Sequence, residues 1–152
     1  MKLAVGSDHA GFALKELVKA ELEKLGHEVV DVGTHSGTES VDYPDFSFAV
    51  AEAVAAKSVD LGVVVCATGI GASIAANKVV GARASVVTSD ETARLTRQDN
   101  DSNVLALGSK TAPSAEDALR WLRVWLDTPF AGGRHERRVN KIRDYESRAT
   151  HP

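Results

Sequence analysis

The chain has 152 residues, a net charge of −3, and apolar and charged fractions of 43% and 26%. This length allows one domain with a proper hydrophobic core, and we expect residues 1–152 to form a single domain whose last few residues are frayed. The acidic balance gives no overall attraction for nucleic acid, and no apolar run is long enough to cross a bilayer. One cysteine excludes an intrachain disulfide and, with an N-terminus lacking a hydrophobic signal segment, indicates a cytoplasmic protein.

Short apolar runs alternate with helical patterns along the chain. The strands predicted in chain order are 3–6, 29–32, 61–66, 82–87 and 104–107. The predicted helices are 12–25, 43–57, one that follows Gly71 and ends near 79, 90–99, one after Ser114 that runs through 126, and 134–148. Ser89 or Asp90 is expected to cap the fourth helix. Five strands alternating with helices predict a parallel, three-layer α/β sheet.

The segment 61–78, LGVVVCATGIGASIAANK, predicts a buried strand, a tight turn and a helix. Cys66 ends this strand, where a thiol would face the backbone amides of a helix N-terminus. Such a place can bind an anion and favour a thiolate, and ligands of open α/β sheets bind there. Simpler interpretations remain open, because a lone cysteine is often a small buried hydrophobe and glycines can merely close a turn. The segment is a poor dinucleotide fingerprint, since Ile74 stands where the third glycine belongs.

Three further polar clusters lie at predicted element ends: 6–11 after the first strand, 98–103 before the fifth, and 132–138 at the start of the last helix. Taken singly, Asp8 could be only a helix cap, the run 98–103 only a turn rich in Asn and Asp, and the basic helix only a solvated face. Taken together with a thiol at a strand end, the three clusters favour a functional site.

Six motifs in collinear order, from residue 2 to about 146, resemble the ribose-5-phosphate isomerase B/galactose-6-phosphate isomerase family. They are SDHAG, DYP, CATGIG, IAANK, RQxNDSN and GGRHxxR. The resemblance implies a Rossmann-like fold whose C-terminal helix extends to a partner subunit, in a homodimer or a dimer of dimers. It also implies that the active sites form at the dimer interface, with Arg134, Arg138, Asp99 or Asn100 shared across subunits. It implies an aldose–ketose isomerase of phosphorylated sugars, of the ribose 5-phosphate/ribulose 5-phosphate type of the pentose phosphate pathway, that uses neither metal nor nucleotide cofactor.

Aldose–ketose isomerisation needs a base to move a proton between C1 and C2 and donors to hold the enediolate. By resemblance, Cys66 is that base and Thr68 assists proton movement between the oxygens. Ala72 occupies the place of a glutamate base in some relatives, which leaves Cys66 as the candidate. The resemblance also assigns residues that contact the substrate. His9, Lys110, Arg134 and Arg138 are expected to contact its phosphate, and the backbone amides of 69–73 are expected to donate to the enediolate oxygen. The residues assigned to substrate contact are Asp8, His9, Tyr43, Gly69, Ile70, Gly71, Ala72, Ser73, Asn100, Lys110, Arg134 and Arg138.

Two positions depart from the family pattern. Ala67 replaces a usual glycine, which is a mild steric change. Asp99 replaces the histidine that opens the furanose ring in the family, and an aspartate is normally ionised at pH 7 and so is a poor acid. The enzyme could open ribose 5-phosphate inefficiently or through Asp99, could act on a tetrose 4-phosphate that forms no furanose ring, or could use Asp99 to contact hydroxyls of another phosphosugar.

Other classes of function remain open. The same pocket could serve a non-catalytic sugar-phosphate sensor, although binding alone requires neither Cys66 nor Thr68. A nucleic-acid site on helix 134–148 is disfavoured by its interleaved acidic residues. Metal catalysis is not expected, because the histidines show no tight ligand spacing.

Overall fold

The computed structural model describes residues 1–150, apart from the side chain of residue 150. Five parallel strands form one sheet in the order β2-β1-β3-β5-β4. The strands are β1 (Lys2–Ser7), β2 (Glu28–Asp31), β3 (Leu61–Cys66), β4 (Ala84–Val86) and β5 (Val104–Gly108). The helices are α1 (Phe12–Lys24), α2 (Tyr43–Ala55), α3 (Ile70–Ala76), α4 (Asp90–Asn100), α5 (Ala115–Asp127) and α6 (Arg134–Thr150). The predicted Rossmann-like α/β architecture is confirmed; the residues beyond 150, where fraying was expected, lie outside the described part.

The two faces of the sheet bury two separate hydrophobic clusters, because successive side chains of a strand point to opposite faces. One cluster packs strand residues such as Leu3 and Val63 against α1, α4 and α5. The other packs residues such as Ala4 and Val64 against α2 and α3. Since β3 is covered on both faces, every residue of that strand is buried, as its continuous apolar run predicts.

The ends of the helices are set by capping groups and backbone conformation more than by the apolar pattern. Ser89 caps α4, and its hydroxyl accepts from the N–H of Thr92 at 3.0 Å. Helix α2 ends before the predicted residue 57, because Lys57 adopts a left-handed φ of 59° that no helix can continue. Helix α3 is also shorter than predicted and ends at Ala76.

The two edges of the sheet carry different predicted clusters. Strands β1, β3 and β5 end together at the carboxyl edge, where Ser7, Cys66 and Gly108 lie in neighbouring strands. Helix α4 starts after β4 and runs back, so its end at Asn100 lies near the amino edge, where the carbonyl of Asn103 accepts from the N–H of Gly62. Helix α6 packs against α4. The predicted site residues are therefore divided between opposite edges of one sheet.

Candidate active site

Three loops meet closely at the carboxyl edge. The backbone of Gly11 lies so near β3 that a Cβ there would be 2.6 Å from the carbonyl oxygen of Val65. The carbonyl of Cys66 accepts from the N–H of Ser109 at 2.9 Å, and the hydroxyl of Ser109 donates to the carbonyl of Ala10 at 2.9 Å. These contacts hold the β1–α1, β3–α3 and β5–α5 loops around one point.

Cys66 lies where these three loops meet, and its thiol faces the β3–α3 loop. The residue is buried, and its Sγ accepts from the backbone N–H of Gly69 at 3.1 Å. Gly69 reaches this position with a left-handed φ of 76°, and a Cβ would stand 2.9 Å from both Leu107 and Val86. The thiol sulfur thus faces a backbone donor at the N-cap of α3.

The first turn of α3 offers further donors beside the thiol. Thr68 Oγ1 accepts from the N–H of Ile70 at 3.2 Å, which leaves the hydroxyl proton available to another acceptor. Within residues 1–150, the N–H groups of Gly71 and Ala72 make no hydrogen bond. Ser73 differs, because its N–H bonds the carbonyl of Gly69 and its hydroxyl donates to the carbonyl of Ile70 at 2.7 Å. The open donors of the predicted 69–73 run are thus Gly71 and Ala72.

Tyr43 borders the same turn from the start of α2. Its ring lies against Gly71, where a Cβ would come within 2.5 Å of the Tyr43 Cζ and 2.7 Å of its hydroxyl oxygen. The tyrosine is 37% exposed, so its phenol faces open space next to the thiol loop. The structure therefore places Tyr43 against the first turn of α3, beside the loop that carries Cys66.

Asp8 and His9 come from the β1–α1 loop. Oδ1 of Asp8 accepts from the N–H of Gly11 at 2.9 Å, so this oxygen shapes the turn before α1. Asp8 is not the helix cap, because Gly11 occupies the N-cap position and α1 has no side-chain cap. Nδ1 of His9 lies 3.2 Å from both the N–H and the carbonyl of Val41. When Nδ1 accepts from that N–H, the ring proton is on Nε2, which can donate to an anion.

Lys110 completes the group at the carboxyl edge. Its N–H bonds the carbonyl of Ala67 at 2.8 Å, which ties the residue to the thiol loop. The side chain is exposed and makes no ion pair with the described residues, so it is available to an anionic group.

A buried ion pair supports these loops, and the sequence analysis missed it. Nζ of Lys15 donates to Asp31 Oδ1 at 2.7 Å and to the carbonyl of Thr34 at 2.7 Å, while Lys19 donates to Asp31 Oδ2 at 2.9 Å. Burial alone would raise the pKa of Asp31, but the hydrogen bonds from Lys15, Lys19 and the Gly33 N–H lower it to about 2. The fully buried Lys15 thereby fixes the β2 end beside Ser7, whose carbonyl accepts from the Thr34 N–H.

The remaining predicted residues lie together at the other end of the subunit. Asn100 ends α4, and Arg134 and Arg138 lie one turn apart on α6. Both arginines are exposed, and neither makes an ion pair within residues 1–150. Two unpaired guanidinium groups at this spacing suit a phosphate dianion.

Asp99 has a neighbour that sequence reasoning did not identify. Nε2 of His135 lies 3.5 Å from Oδ1 of Asp99, across the contact between α4 and α6. The two residues are far apart in the sequence, and their pairing depends on how these helices pack. The GGRHxxR motif contains this histidine and was the available signal.

An exposed apolar surface adjoins the thiol loop. Ile70 and Ile74, one turn apart on α3, are 54% and 57% exposed, and Phe48 on the adjacent α2 is also exposed. Apolar groups of this size so close together are typical of a protein–protein contact. In residues 1–150, no helix is long and apolar enough to cross a membrane.

Comparison with known proteins gives concordant results. The ribose/galactose isomerase family profile matches residues 3–142. Ribose-5-phosphate isomerase B of Escherichia coli strain K12 is 47% identical over 147 residues, 97% of this chain and 97% of that protein. The structure of Clostridium thermocellum ribose-5-phosphate isomerase B has a TM-score of 0.95 and 50% identity, covering 98% of this chain and 99% of that one. The enzyme of Mycoplasma genitalium with bound ribulose 5-phosphate has a TM-score of 0.92 and 40% identity, covering 96% of both chains.

Proposed function

The chain belongs to the ribose/galactose isomerase family, and on that premise we propose that it interconverts ribose 5-phosphate and ribulose 5-phosphate through an enediolate. The chain is a sugar-phosphate isomerase, since relatives at this identity are ribose-5-phosphate isomerases along nearly their full length. The observation that carries the proposed chemistry is the Cys66 thiol facing the Gly69 amide at 3.1 Å, with open donors beside it. Neither metal nor nucleotide has a step in this mechanism.

In the proposed mechanism, the Cys66 thiolate removes the proton from C2 of the open-chain aldose. The electron pair forms the C1–C2 double bond, and negative charge moves to O1, where the N–H groups of Gly71 and Ala72 can donate to it. Thr68 gives its hydroxyl proton to O1 and takes the proton of O2. The thiol then returns its proton to C1 as the C2 carbonyl forms, and Cys66 and Thr68 regain their starting states.

We place the substrate phosphate on arginines of a second copy. Within one subunit, Cys66 lies at the carboxyl edge of the sheet, while Arg134 and Arg138 lie at the other end. A two-fold dimer would bring the α4–α6 end of one copy to the thiol loop of its partner and make two equivalent sites. The exposed Ile70 and Ile74 beside the loop support this contact, as does the absence of ion-pair partners for both arginines in the described chain. His9 and Lys110 would add donors from the first copy.

A tetrose 4-phosphate is a second candidate substrate. Asp99 stands at the predicted ring-opening position, and a tetrose 4-phosphate needs no ring opening because its terminal hydroxyl is esterified. Ribose 5-phosphate is favoured because a second titratable group, His135, lies beside Asp99. Asn100 and Tyr43 are proposed to contact the sugar hydroxyls.

The proposed activity is tested by incubating the purified protein with ribose 5-phosphate and following ketose formation. Turnover at a kcat of at least about 1 s⁻¹, typical of enzymes, supports the proposal. Saturable binding of ribose 5-phosphate without turnover would instead favour a sugar-phosphate sensor. We also propose that residues 1–152 act as a single isomerase domain in the cytoplasm, where a lone cysteine remains reduced.

A further inference from the structure

Gln98 supports the contact between Asp99 and His135 through two hydrogen bonds, one from its side chain and one to its backbone. The side-chain amide of Gln98 donates to Asp99 Oδ1 at 3.1 Å, on the oxygen that faces His135. The carbonyl of Gln98 accepts from the N–H of Ala131 at 3.0 Å, which ties the loop before α6 to the end of α4. The side chain of His135 is 12% exposed and that of Asp99 is 33% exposed. The two side chains are therefore held in place, and the Asp99 carboxylate is the more exposed of the two.

The position of this pair gives it access to a bound sugar. Arg138 lies one turn beyond His135 on α6, and Asn100 follows Asp99 at the end of α4. A phosphate bound by Arg134 and Arg138 would hold the attached sugar at the same α4–α6 contact that contains the pair. Asp99 and His135 would then be acid–base groups beside the sugar, away from the thiol of their own chain.

Ribose 5-phosphate presents a chemical problem that such a pair can solve. The sugar is mostly a furanose, and its C2 proton becomes acidic only when C1 is a free aldehyde. Ring opening needs a base for the proton of the O1 hydroxyl and an acid for the ring oxygen O4. A single ionised carboxylate supplies the base but not the acid.

We propose that Asp99 and His135 together open the furanose ring, an inference that rests on the proposed isomerase function. The carboxylate of Asp99 takes the proton of the O1 hydroxyl, the C1–O4 bond breaks as the C1 carbonyl forms, and the imidazolium of His135 protonates O4. The proton then passes from the Asp99 carboxyl group to the neutral imidazole across the 3.5 Å contact, and both groups regain their starting charges. His135 supplies the acid that Asp99 lacks.

The test separates ring opening from proton transfer at carbon. Ribulose 5-phosphate is acyclic because its O5 carries the phosphate, so entry of solvent deuterium at its C1 requires Cys66 chemistry but no ring opening. We expect His135→Gln and Asp99→Asn each to lower kcat/KM for ribose 5-phosphate by about 10²-fold. Deuterium entry into ribulose 5-phosphate should stay within about threefold of the unaltered enzyme, as should both rates in Glu136→Gln, an exposed neighbour used as the control.

The double variant adds a second criterion. Because the two groups act in one step, Asp99→Asn/His135→Gln should be no more than about threefold worse than either single variant. Equal losses in ring-dependent turnover and deuterium entry would show a structural or phosphate-binding role and would overturn the inference, as would unchanged turnover of ribose 5-phosphate. An unaltered enzyme that neither converts ribose 5-phosphate nor exchanges ribulose 5-phosphate would refute the isomerase proposal itself.

Discussion

Nζ of Lys15 donates to both carboxylate oxygens of Asp31, at 2.7 and 2.9 Å, from a side chain with no exposed surface. A lysine buried this completely needs its partner, since an unpaired buried charge is strongly destabilising. The pair joins α1 to the end of β2 and so fixes the loops around Asp8. It belongs to the support of the site and not to its chemistry.

This ion pair predicts acid-sensitive stability. The pKa of Asp31 is about 2 in the folded chain against an ordinary 3.8, so its stabilisation is complete above pH 4 and is lost as pH falls toward 2. We expect Asp31 to account for about 2 kcal/mol of the unfolding free energy lost over that range. Urea unfolding from pH 7 to pH 2 should show a shallower acid slope for Asp31→Asn, whereas Asp127→Asn, an exposed carboxylate, should keep the original slope.

Cys66→Ala should remove catalysis and leave the fold intact. The substitution deletes the proposed base from a site that otherwise keeps its donors, so kcat should fall by about 10³-fold or more. Cys66→Ser should be nearly as inactive, because a hydroxyl ionises far less readily than a thiol. Steady-state kinetics with thermal unfolding as the folding control tests this; kcat within about tenfold of the unaltered enzyme would remove Cys66 from the role of base.

Gly69→Ala should disturb the thiol loop more than an equivalent change elsewhere. Gly69 combines a φ of 76° with a Cβ position 2.9 Å from Leu107 and Val86. Left-handed strain plus overpacking should cost about 2–4 kcal/mol. The matched control is Gly26→Ala, where φ is 89° but nothing lies within 4 Å of the new Cβ, so only about 1–2 kcal/mol is expected. Equal losses in both variants would show that crowding at Gly69 is unimportant.

Subunit mixing tests whether the two halves of the site come from different copies. Cys66→Ala and Arg138→Ala homodimers should each be nearly inactive. Subunits mixed in equal amounts should form about half mixed dimers, each with one intact site of two, and so recover about a quarter of the unaltered activity. A mixture that stays inactive after subunit exchange, checked with differently tagged chains, would place both halves of the site on one chain.

A panel of phosphorylated aldoses tests the choice of substrate. With an acid–base pair in place, we expect kcat/KM for ribose 5-phosphate to exceed that for a tetrose 4-phosphate. Asp99→His should then change turnover of ribose 5-phosphate by less than about tenfold, because ring opening already has its acid. A preference for the tetrose, with a gain of about 10²-fold or more on ribose 5-phosphate in Asp99→His, would favour the acyclic substrate.

Sequence patterns predicted the sheet and much of the thiol loop because these features are local. The bounds of β3 agree with its apolar run, and Ser89 caps α4 through a hydroxyl only three residues from its donor. Lys15 was missed, although it lies on the apolar stripe of Leu14 and Val18, since hydropathy alone marks lysine as exposed. A lysine on such a stripe indicates a buried partner.

The contacts that sequence could not predict join distant segments. The family resemblance implied that Asp99 and Arg138 reach the site from a second subunit, but no pattern in the residues themselves indicated that they lie away from Cys66 within one subunit. That division follows from helix direction in a parallel sheet, because α4 ends at the edge opposite to the one where β3 ends. The neighbour of Asp99 depends on the packing of α6, which no local pattern encodes.

Substrate that bridges Cys66 of one copy and Arg138 of another would add its binding free energy to the contact between subunits. Dissociated chains would then be separated half-sites, so specific activity would fall on dilution below the dimer dissociation constant. Saturating sugar phosphate would shift association toward the dimer by mass action, lowering the apparent dissociation constant. Metabolite abundance would thereby set the fraction of assembled enzyme as well as its rate.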